Sequence, residues 1–366
     1  MSDILISGYH GFSNSGDEAL LWAILQALRE KKPDIKVTVL SKKPQETSRE
    51  YGVESVYRYN IFKIFKAMKK SKMLLFGGGS LLQDATSSKS IRYYLAILWL
   101  AQKCGLKTML YANGIGPITK KCNRYTSSKI LNRADVITLR DDNSDEELKS
   151  LGVTKPVIKI TADPVFTIDV ESSLSGNFFI KRAEVPDGTK FCVVSIREWQ
   201  KAKSGFEEIV AGLCDHLYKK YNIAALFVPM QYPADMEISR RIIDKMQTKA
   251  YLINRELSVP EIFSVLSECE MVIGMRLHSL IYATTLEKPA LALSYDPKIS
   301  AFMNSISQPD NLDVETLDLD EALCALEGIV ENREERSEIL AKTNLDMRAK
   351  ARENADYAIN LITKNN

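Results

Sequence analysis

An arginine and a histidine stand two residues apart at the end of a predicted strand, in the stretch Met271-Val-Ile-Gly-Met-Arg-Leu-His-Ser-Leu280. Arg276 is permanently cationic and can bind a carboxylate or phosphate through two parallel hydrogen bonds. His278 titrates near neutral pH and can therefore supply a proton. The structural alternative is an arginine that caps a neighbouring strand and a histidine that packs under a loop. We interpret the pair as part of a ligand site.

Two more arginines directly follow predicted strands. They are Arg140, in Ile-Thr-Leu-Arg-Asp, and Arg197, in Val-Ser-Ile-Arg-Glu. Open α/β sheets bind ligands outside the carboxyl ends of their strands, where these side chains are expected. A single arginine at such a place is as often structural as functional. Three guanidinium groups together with His278 favour a small, highly charged anion.

The first glycine-rich loop, Gly8 to Gly16, has neither dinucleotide-binding nor Walker spacing. Asp17 and Glu18 instead occupy the first turn of the next helix, where they stabilise the helix dipole and would repel a phosphate. The structural reading is an acidic helix start. The functional reading is that Asp17 meets a sugar hydroxyl, either to hold it or to take its proton. We interpret His10 as a loop histidine.

Two other turns follow predicted strands. Gly77, Gly78 and Gly79 leave backbone N–H groups in a turn that suits an anion or the close approach of a ligand. Asn113 begins the turn Asn-Gly-Ile-Gly-Pro. Each signal is weak alone, because many strand-to-helix turns contain glycine.

Predicted strands alternate with helical segments along most of the chain, which indicates parallel sheets built by right-handed crossovers. The alternation lapses once, in a stretch rich in Ser, Gly and Pro. We therefore predict an α/β protein with two Rossmann-like domains that face each other across a cleft. The predicted boundaries are 1–170 for the N-terminal (acceptor-side) domain, 171–189 for a linker, 190–318 for the C-terminal (donor-side) domain, and 319–366 for helices that can pack back on the first domain.

The pattern of residues 60–72 predicts a basic amphipathic helix. Its apolar face is predicted to contain Ile61, Ile64, Phe65 and Met68, with lysines around it. Such a helix can lie on an anionic membrane surface. It can equally be a core-facing helix with solvated lysines, and the sequence leaves both readings open.

Composition excludes several classes of function. The 366 residues contain 49 Lys plus Arg against 47 Asp plus Glu, so no global field attracts nucleic acid. Six scattered cysteines without a CxxC pair predict reduced thiols and no metal site. No signal peptide is predicted, because the stretch from Met1 to Ser7 leads straight into a strand. No membrane span is predicted, because the longest apolar run, 93–101, is about half the length that crosses a bilayer. We expect a cytoplasmic protein, at the inner face of the cell membrane if its acceptor is lipid-linked.

Six short motifs in order resemble the polysaccharide pyruvyltransferase family, particularly its CsaB-type cell-wall ketal-pyruvyltransferases, over nearly the whole chain. They are Gly-Phe-Ser-Asn-Ser-Gly-Asp-Glu-Ala-Leu20, Phe-Gly-Gly-Gly-Ser-Leu81, Tyr-Ala-Asn-Gly-Ile-Gly-Pro117, Arg140-Asp, Gly-Met-Arg-Leu-His278 and Ser-Tyr-Asp-Pro-Lys298. The resemblance implies a GT-B-like architecture without a required metal or other cofactor. It also implies transfer of the enolpyruvyl unit of phosphoenolpyruvate to a sugar, as a cyclic ketal, with release of phosphate. The acceptor expected is a lipid-linked or polymeric precursor of a secondary cell-wall polysaccharide.

The resemblance also assigns roles to single residues. His278 matches the proton donor, and Asp17 matches the essential acidic residue. Predicted donor-binding residues are Arg140, Arg276, Arg197 and Ser279. Predicted acceptor-side residues are Asn14, Gly77, Gly78, Gly79 and Asn113.

The alternative hypothesis is a glycosyltransferase of the same architecture with a nucleotide-sugar donor. Its ribose would then need an acidic residue past the Gly-Met-Arg-Leu-His motif, and Asp296 could serve.

Overall fold

The computed structural model describes residues 2–84, 88–169 and 176–363. The chain divides into two compact units, each built on one parallel sheet. The first unit contains Met1–Ile168 together with Asp346–Asn366, and the second contains Asp169–Leu345.

The first unit has a seven-stranded sheet in which every neighbouring pair is parallel. Its strand order is β3-β2-β1-β4-β5-β6-β7, so the direction of winding reverses between β1 and β4. The strands are β1 (Ser2–His10), β2 (Val37–Ser41), β3 (Glu54–Tyr57), β4 (Ser71–Gly77), β5 (Lys107–Asn113), β6 (Val136–Leu139) and β7 (Val157–Ile160).

Helices cover both faces of this sheet, and two apolar clusters form its core. The helices are α1 (Ser15–Lys31), α2 (Pro44–Tyr51), α3 (Ile61–Lys69), α4 (Ser88–Lys103), α5 (Lys121–Leu131) and α6 (Asp142–Ser150). Helix α1 shows why these segments fold as they do. Asn14 caps its first turn, and its apolar stripe, including Leu21 and Leu25, is buried against the sheet.

The second unit has a six-stranded parallel sheet in the order β10-β9-β8-β11-β12-β13. This order repeats the doubly wound pattern 3-2-1-4-5-6. The strands are β8 (Phe191–Ser195), β9 (Ala224–Phe227), β10 (Ala250–Leu252), β11 (Met271–Gly274), β12 (Ala290–Ser294) and β13 (Asn311–Asp313). The helices that begin within this unit are α7 (Gly176–Arg182), α8 (Phe206–Tyr221), α9 (Met236–Lys245), α10 (Val259–Ser267), α11 (Leu277–Thr285), α12 (Pro297–Ser305), α13 (Leu319–Glu331) and α14 (Arg333–Thr363).

The predicted α/β class with two Rossmann-like halves is confirmed. The range 171–189, predicted as a linker, begins with residues outside those that the structure describes and then contains α7. The range predicted as C-terminal helices contains α13, which packs into the second core through Ala322 and Leu326. No helix in the described ranges has both the length and the apolarity to cross a bilayer.

The end of α14 belongs to the first unit and is anchored there by Asn354. This side chain is fully buried, accepts a hydrogen bond from Thr161 Oγ1 at 2.9 Å and donates to the carbonyl of Ala162 at 3.3 Å. Nearby, Arg348 donates to the carbonyl of Phe166 at 3.1 Å. Hydrogen bonds to the carboxyl-terminal end of the segment Met1–Ile168 therefore hold this stretch of α14.

We expect Asn354→Ala to lower the free energy of unfolding by about 1–3 kcal/mol, because it leaves buried polar groups unpaired. Asn360→Ala is the matched control on the exposed side of the same helix. Urea unfolding of both variants tests this. Equal stability of the two variants would show that Asn354 does not anchor the helix.

Candidate active site

Arg276 lies between strand β11 and helix α11, at the carboxyl edge of the second sheet. Its Nε donates to Asp235 Oδ2 at 2.8 Å, and its Nη2 donates to Asp235 Oδ1 at 2.5 Å and to Gln231 Oε1 at 3.0 Å. The Asp235 side chain is 2% exposed and that of Arg276 is 13% exposed. This bidentate pair fixes the plane of the guanidinium group.

His278 and Ser279 occupy the first turn of α11. His278 is half-buried, with its ring centroid 6.2 Å from that of Tyr282. Ser279 is fully buried, and its Oγ donates to the carbonyl of Arg276 at 2.6 Å. A side chain at Gly274 would place its Cβ 2.7 Å from Ser279 Oγ, so the turn needs glycine there. Ser279 thus supports the turn that carries Arg276.

Arg197 follows β8, the strand beside β11. Its Nη1 donates to the Tyr295 hydroxyl at 2.9 Å, and its guanidinium carbon lies 4.8 Å from the Tyr295 ring centroid. The Trp199 ring lies 4.8 Å from that of Tyr295, centroid to centroid. The second unit therefore brings Arg276, His278 and Arg197 to one sheet edge.

Arg140 follows β6 in the first unit and is buried. Its Nη1 donates to Asp163 Oδ2 at 2.7 Å and its Nη2 to Ser80 Oγ at 2.9 Å. The side chains of Arg140 and Asp163 are 7% and 5% exposed. The backbone of Gly114 packs so closely that a Cβ there would lie 3.2 Å from Arg140 Nε. Arg140 is thus held by protein groups, with little surface left for a ligand.

The glycine turn after β4 is less open than its composition predicts. The N–H of Gly78 donates to the carbonyl of Tyr111, and Gly79 accepts from the N–H of Gly114. Asn113 is fully buried, and its Nδ2 donates to the carbonyls of Phe76 and Tyr111, both at 3.0 Å. The N–H of Gly78 is therefore already engaged, and Asn113 supports the turn from inside.

Asp17 lies beside this turn, on the first turn of α1. Its Oδ1 would be 3.4 Å from a Cβ at position 79. Gly79 has a φ of +73°, which favours glycine. Glu18 instead accepts from the N–H of Gly11 at 2.7 Å and from the Tyr51 hydroxyl at 2.9 Å. Asn14 accepts from the N–H of Gly16. The Asp17 carboxylate thus lies next to the Gly77–Gly79 turn. Glu18 and Asn14 instead form hydrogen bonds that hold the loop before α1 and the first turn of α1.

His10 is buried at the end of β1. Burial, together with the nearby positive charge of Arg58, lowers its pKa to about 3. The imidazole is therefore neutral at physiological pH and does not titrate there.

Arg58 is a residue that the sequence reading missed. It is 3% exposed, donates to the carbonyl of Gly8 at 2.8 Å and to the Tyr94 hydroxyl at 3.2 Å, and forms no salt bridge within the described ranges. Its guanidinium carbon lies 4.7 Å from the ring centroid of Tyr93 and 5.1 Å from that of Phe12. An arginine between two tyrosines, Tyr57-Arg-Tyr59, was the available signal.

Residues 14–297 match the family model described as polysaccharide pyruvyl transferase. The amylovoran biosynthesis protein AmsJ of Erwinia amylovora is 21% identical, over 93% of this chain and 94% of the relative. The fold is similar to that of S. aureus MnaA in a structure with UDP (TM-score 0.67, 14% identity, 99% and 98% coverage). It is also similar to UDP-GlcNAc 2-epimerase from Neisseria meningitidis bound to UDP-GlcNAc (0.68, 11%, 100% of both).

The two-unit fold is thus the GT-B-like fold of these epimerases. The family match covers most of the chain, so the protein belongs to the polysaccharide pyruvyl transferase family. It is a transferase that acts in polysaccharide biosynthesis, with pyruvyl transfer as its class of reaction.

A double-mutant cycle tests the pairing of Arg276 with Asp235. We expect Asp235→Ala to lower the free energy of unfolding by about 3 kcal/mol, because it leaves a largely buried guanidinium unpaired. In the Arg276→Ala background the same change should cost at most about 1 kcal/mol. Denaturant unfolding of the four proteins gives the coupling. Additive losses would contradict the pairing.

The low pKa of His10 predicts a pH dependence of stability. An unfolded histidine binds a proton below about pH 6.5, whereas folded His10 does so only near pH 3. Stability is therefore lost as the pH falls between these values, by about 2 kcal/mol from pH 7 to pH 5. Urea unfolding should show that His10→Gln loses less stability over this interval than the wild type. His216→Gln, on a part-exposed helix position, is the control. Identical pH profiles for wild type and His10→Gln would contradict the prediction.

Proposed function

We propose that this protein transfers the enolpyruvyl unit of phosphoenolpyruvate to a sugar of a lipid-linked cell-wall polysaccharide precursor, forming a cyclic ketal and releasing phosphate. The observation that supports it most is the turn after β11. There, a guanidinium group fixed by Asp235 lies two residues from half-buried His278. The family assignment supplies the class of reaction.

Donor binding is assigned to Arg276 and Arg197 of the second unit. Phosphoenolpyruvate has a carboxylate and a phosphate close together, which suits guanidinium donors. The bonds from Arg276 to Asp235 and Gln231 use Nε and Nη2, and leave Nη1 as the nitrogen for the donor. Because Asp235 already fixes this group, little side-chain entropy is lost on binding. Ser279 contributes indirectly by holding the Arg276 carbonyl.

The proton is assigned to His278. The imidazolium protonates the methylene carbon of the donor, and a sugar hydroxyl forms a bond to the resulting oxocarbenium-like carbon. A second hydroxyl of the same sugar then forms its bond to that carbon as the bond to phosphate oxygen breaks. Asp17, the base assigned below, accepts the two hydroxyl protons in turn. One of them finally restores the imidazolium, and the other leaves with phosphate. The arginines neutralise the departing charge.

On the acceptor side we assign the base to Asp17. Its carboxylate lies beside Gly79, and Glu18 at the next position is engaged by Gly11 and Tyr51. Asn14 and the Gly77–Gly79 turn would shape the acceptor site, with Asn113 supporting the turn from its buried position. Arg140 is buried against Asp163 in the first unit, so its direct contact with the donor stays a prediction. The proposed place of action is the inner face of the cell membrane, where a lipid-linked acceptor is available.

The second candidate is a glycosyltransferase with a nucleotide-sugar donor. The cluster of Arg197, Tyr295 and Trp199 offers aromatic surface for a base, and the similar epimerase structures contain UDP or UDP-GlcNAc. Against it, Asp296 already caps α12 by accepting from the N–H of Lys298 at 3.0 Å. Isothermal titration separates the two candidates. Heat with phosphoenolpyruvate and none with UDP-sugars supports pyruvyl transfer, and the reverse supports the glycosyltransferase.

We expect His278→Gln to lower kcat by ~10²–10⁴-fold, because the variant cannot protonate the donor. Phosphate release from phosphoenolpyruvate, with a panel of lipid-linked disaccharides as acceptors, measures this. Affinity for phosphoenolpyruvate, measured by titration, should change little, because the arginines remain.

His216→Gln is the matched control. His216 lies on α8 of the same unit, and its Nε2 lies 2.8 Å from Glu327 Oε1. This variant should retain wild-type turnover. Full activity of His278→Gln would remove His278 from the mechanism.

A further inference from the structure

Helix α3 has a broad apolar side that the core covers only in part. Ile64 and Met68 are buried in the core of the first unit. Ile61, Phe62 and Phe65 lie outside it and are 53%, 86% and 45% exposed. Of the apolar face predicted from the sequence, the core therefore covers Ile64 and Met68, while Ile61 and Phe65 stay exposed together with Phe62.

A basic groove runs along the adjoining side of α3. Its volume is 570 Å³, and Val37, Val53 and Val56 form part of its wall. Five cationic side chains line it against one carboxylate, that of Glu54. The cationic residues are Arg29, Lys36, Lys63, Lys66 and Lys70.

These charges are not neutralised by the protein. Arg29 donates to the backbone carbonyls of Tyr51 and Gly52, at 2.8 and 3.2 Å. Across the ranges that the structure describes, no salt bridge involves the Nζ of any of the four lysines. Like charges gathered on a concave surface repel one another and raise the local concentration of anions. The groove is therefore suited to an anionic partner.

The position of α3 joins this groove to the exposed aromatic residues. An α-helix turns by about 100° per residue. Going around the helix axis from Phe62, Lys66 therefore comes first, followed by Lys70 and Lys63. A helix with apolar residues on one flank and lysines on the next is typical of helices that lie in the interface of an anionic bilayer. A water-exposed surface containing Phe62 and Phe65 is otherwise unfavourable.

The groove is separate from the candidate active site. Ser2, Val37 and Glu54, which line it, are at or near the amino ends of β1, β2 and β3. The candidate active-site residues follow carboxyl ends. Helix α3 begins shortly after the carboxyl end of β3. It is ~13 Å long and runs back toward the edge of the sheet where the strands have their amino ends.

We propose that this surface docks the protein on an anionic lipid bilayer. Phosphate headgroups occupy the lysine-lined groove, while Phe62 and Phe65 enter the boundary between headgroups and acyl chains. The inference rests on the contacts of α3 and not on the transfer chemistry, although a lipid-linked acceptor would explain its use.

Co-sedimentation with vesicles of phosphatidylglycerol and phosphatidylcholine tests the proposal on the full chain. Wild-type protein should bind these vesicles and not pure phosphatidylcholine. The triple variant Lys63→Gln, Lys66→Gln, Lys70→Gln should bind about 100-fold more weakly, since each lysine near an anionic surface contributes roughly a factor of five. Phe62→Ser with Phe65→Ser should also weaken binding. These five side chains are at the surface or line the groove, and unchanged thermal melting would confirm that the variants fold.

The matched control removes three exposed lysines elsewhere on the same unit, as Lys121→Gln, Lys155→Gln, Lys159→Gln. It loses the same net charge and should bind vesicles as the wild type does. If both triple variants bound vesicles equally weakly, the loss would be explained by net charge alone and the proposal would be overturned. So would a groove triple that loses binding of inorganic phosphate but still binds vesicles.

Turnover with a water-soluble acceptor separates this proposal from the proposed function. The groove triple should keep wild-type phosphate release in that assay while losing vesicle binding. If the wild type itself released no phosphate, the transfer reaction would be contradicted, and the vesicle result would still decide the docking surface.

Discussion

The candidate active site depends on the bidentate pair between Arg276 and Asp235. The carboxylate is almost completely buried, so its charge is tolerable only because two guanidinium nitrogens bind it. The pair also joins the loop after β9 to the turn after β11, since Asp235 in addition accepts from the N–H of Gln231. The direction of the remaining guanidinium edge is thereby set before any ligand arrives.

The first unit contains a similar arginine–aspartate pair that is more deeply buried. Arg140 is paired with Asp163, and both side chains are more than nine-tenths buried. Each pair cancels its own net charge, so neither arginine attracts an anion as strongly as an unpaired one would. Arg197, whose Nη1 binds a tyrosine hydroxyl instead of a carboxylate, keeps its full charge. Under the proposed function, Arg197 therefore attracts the anion, while Arg276 contributes a positioned hydrogen-bond donor.

The sequence allowed most strands of both sheets and three arginines at their ends to be predicted, because buried parallel strands are short apolar runs. It did not reveal β3 and β13, two short edge strands. No residue of β3 is buried, and β13 has three residues, of which only Leu312 is buried. Missing β3 hid Arg58, which follows that strand. The carboxylate partners were hidden for another reason. Asp235 precedes Arg276 by 41 positions, and only the fold brings them together.

Helix α3 shows where periodicity stops being informative. Apolar residues at Ile61, Ile64, Phe65 and Met68 satisfy a helical repeat, and the repeat contains no information on which of them the core accepts. The sheet has room for the side that carries Ile64 and Met68, so Ile61, Phe62 and Phe65 are surplus to folding. Surplus apolar surface is selected against in a protein surrounded only by water, unless a partner covers it. The unpaired lysines beside it restrict that partner to one with negative charge, and a bilayer surface provides both the apolar layer and the charge at the required depth.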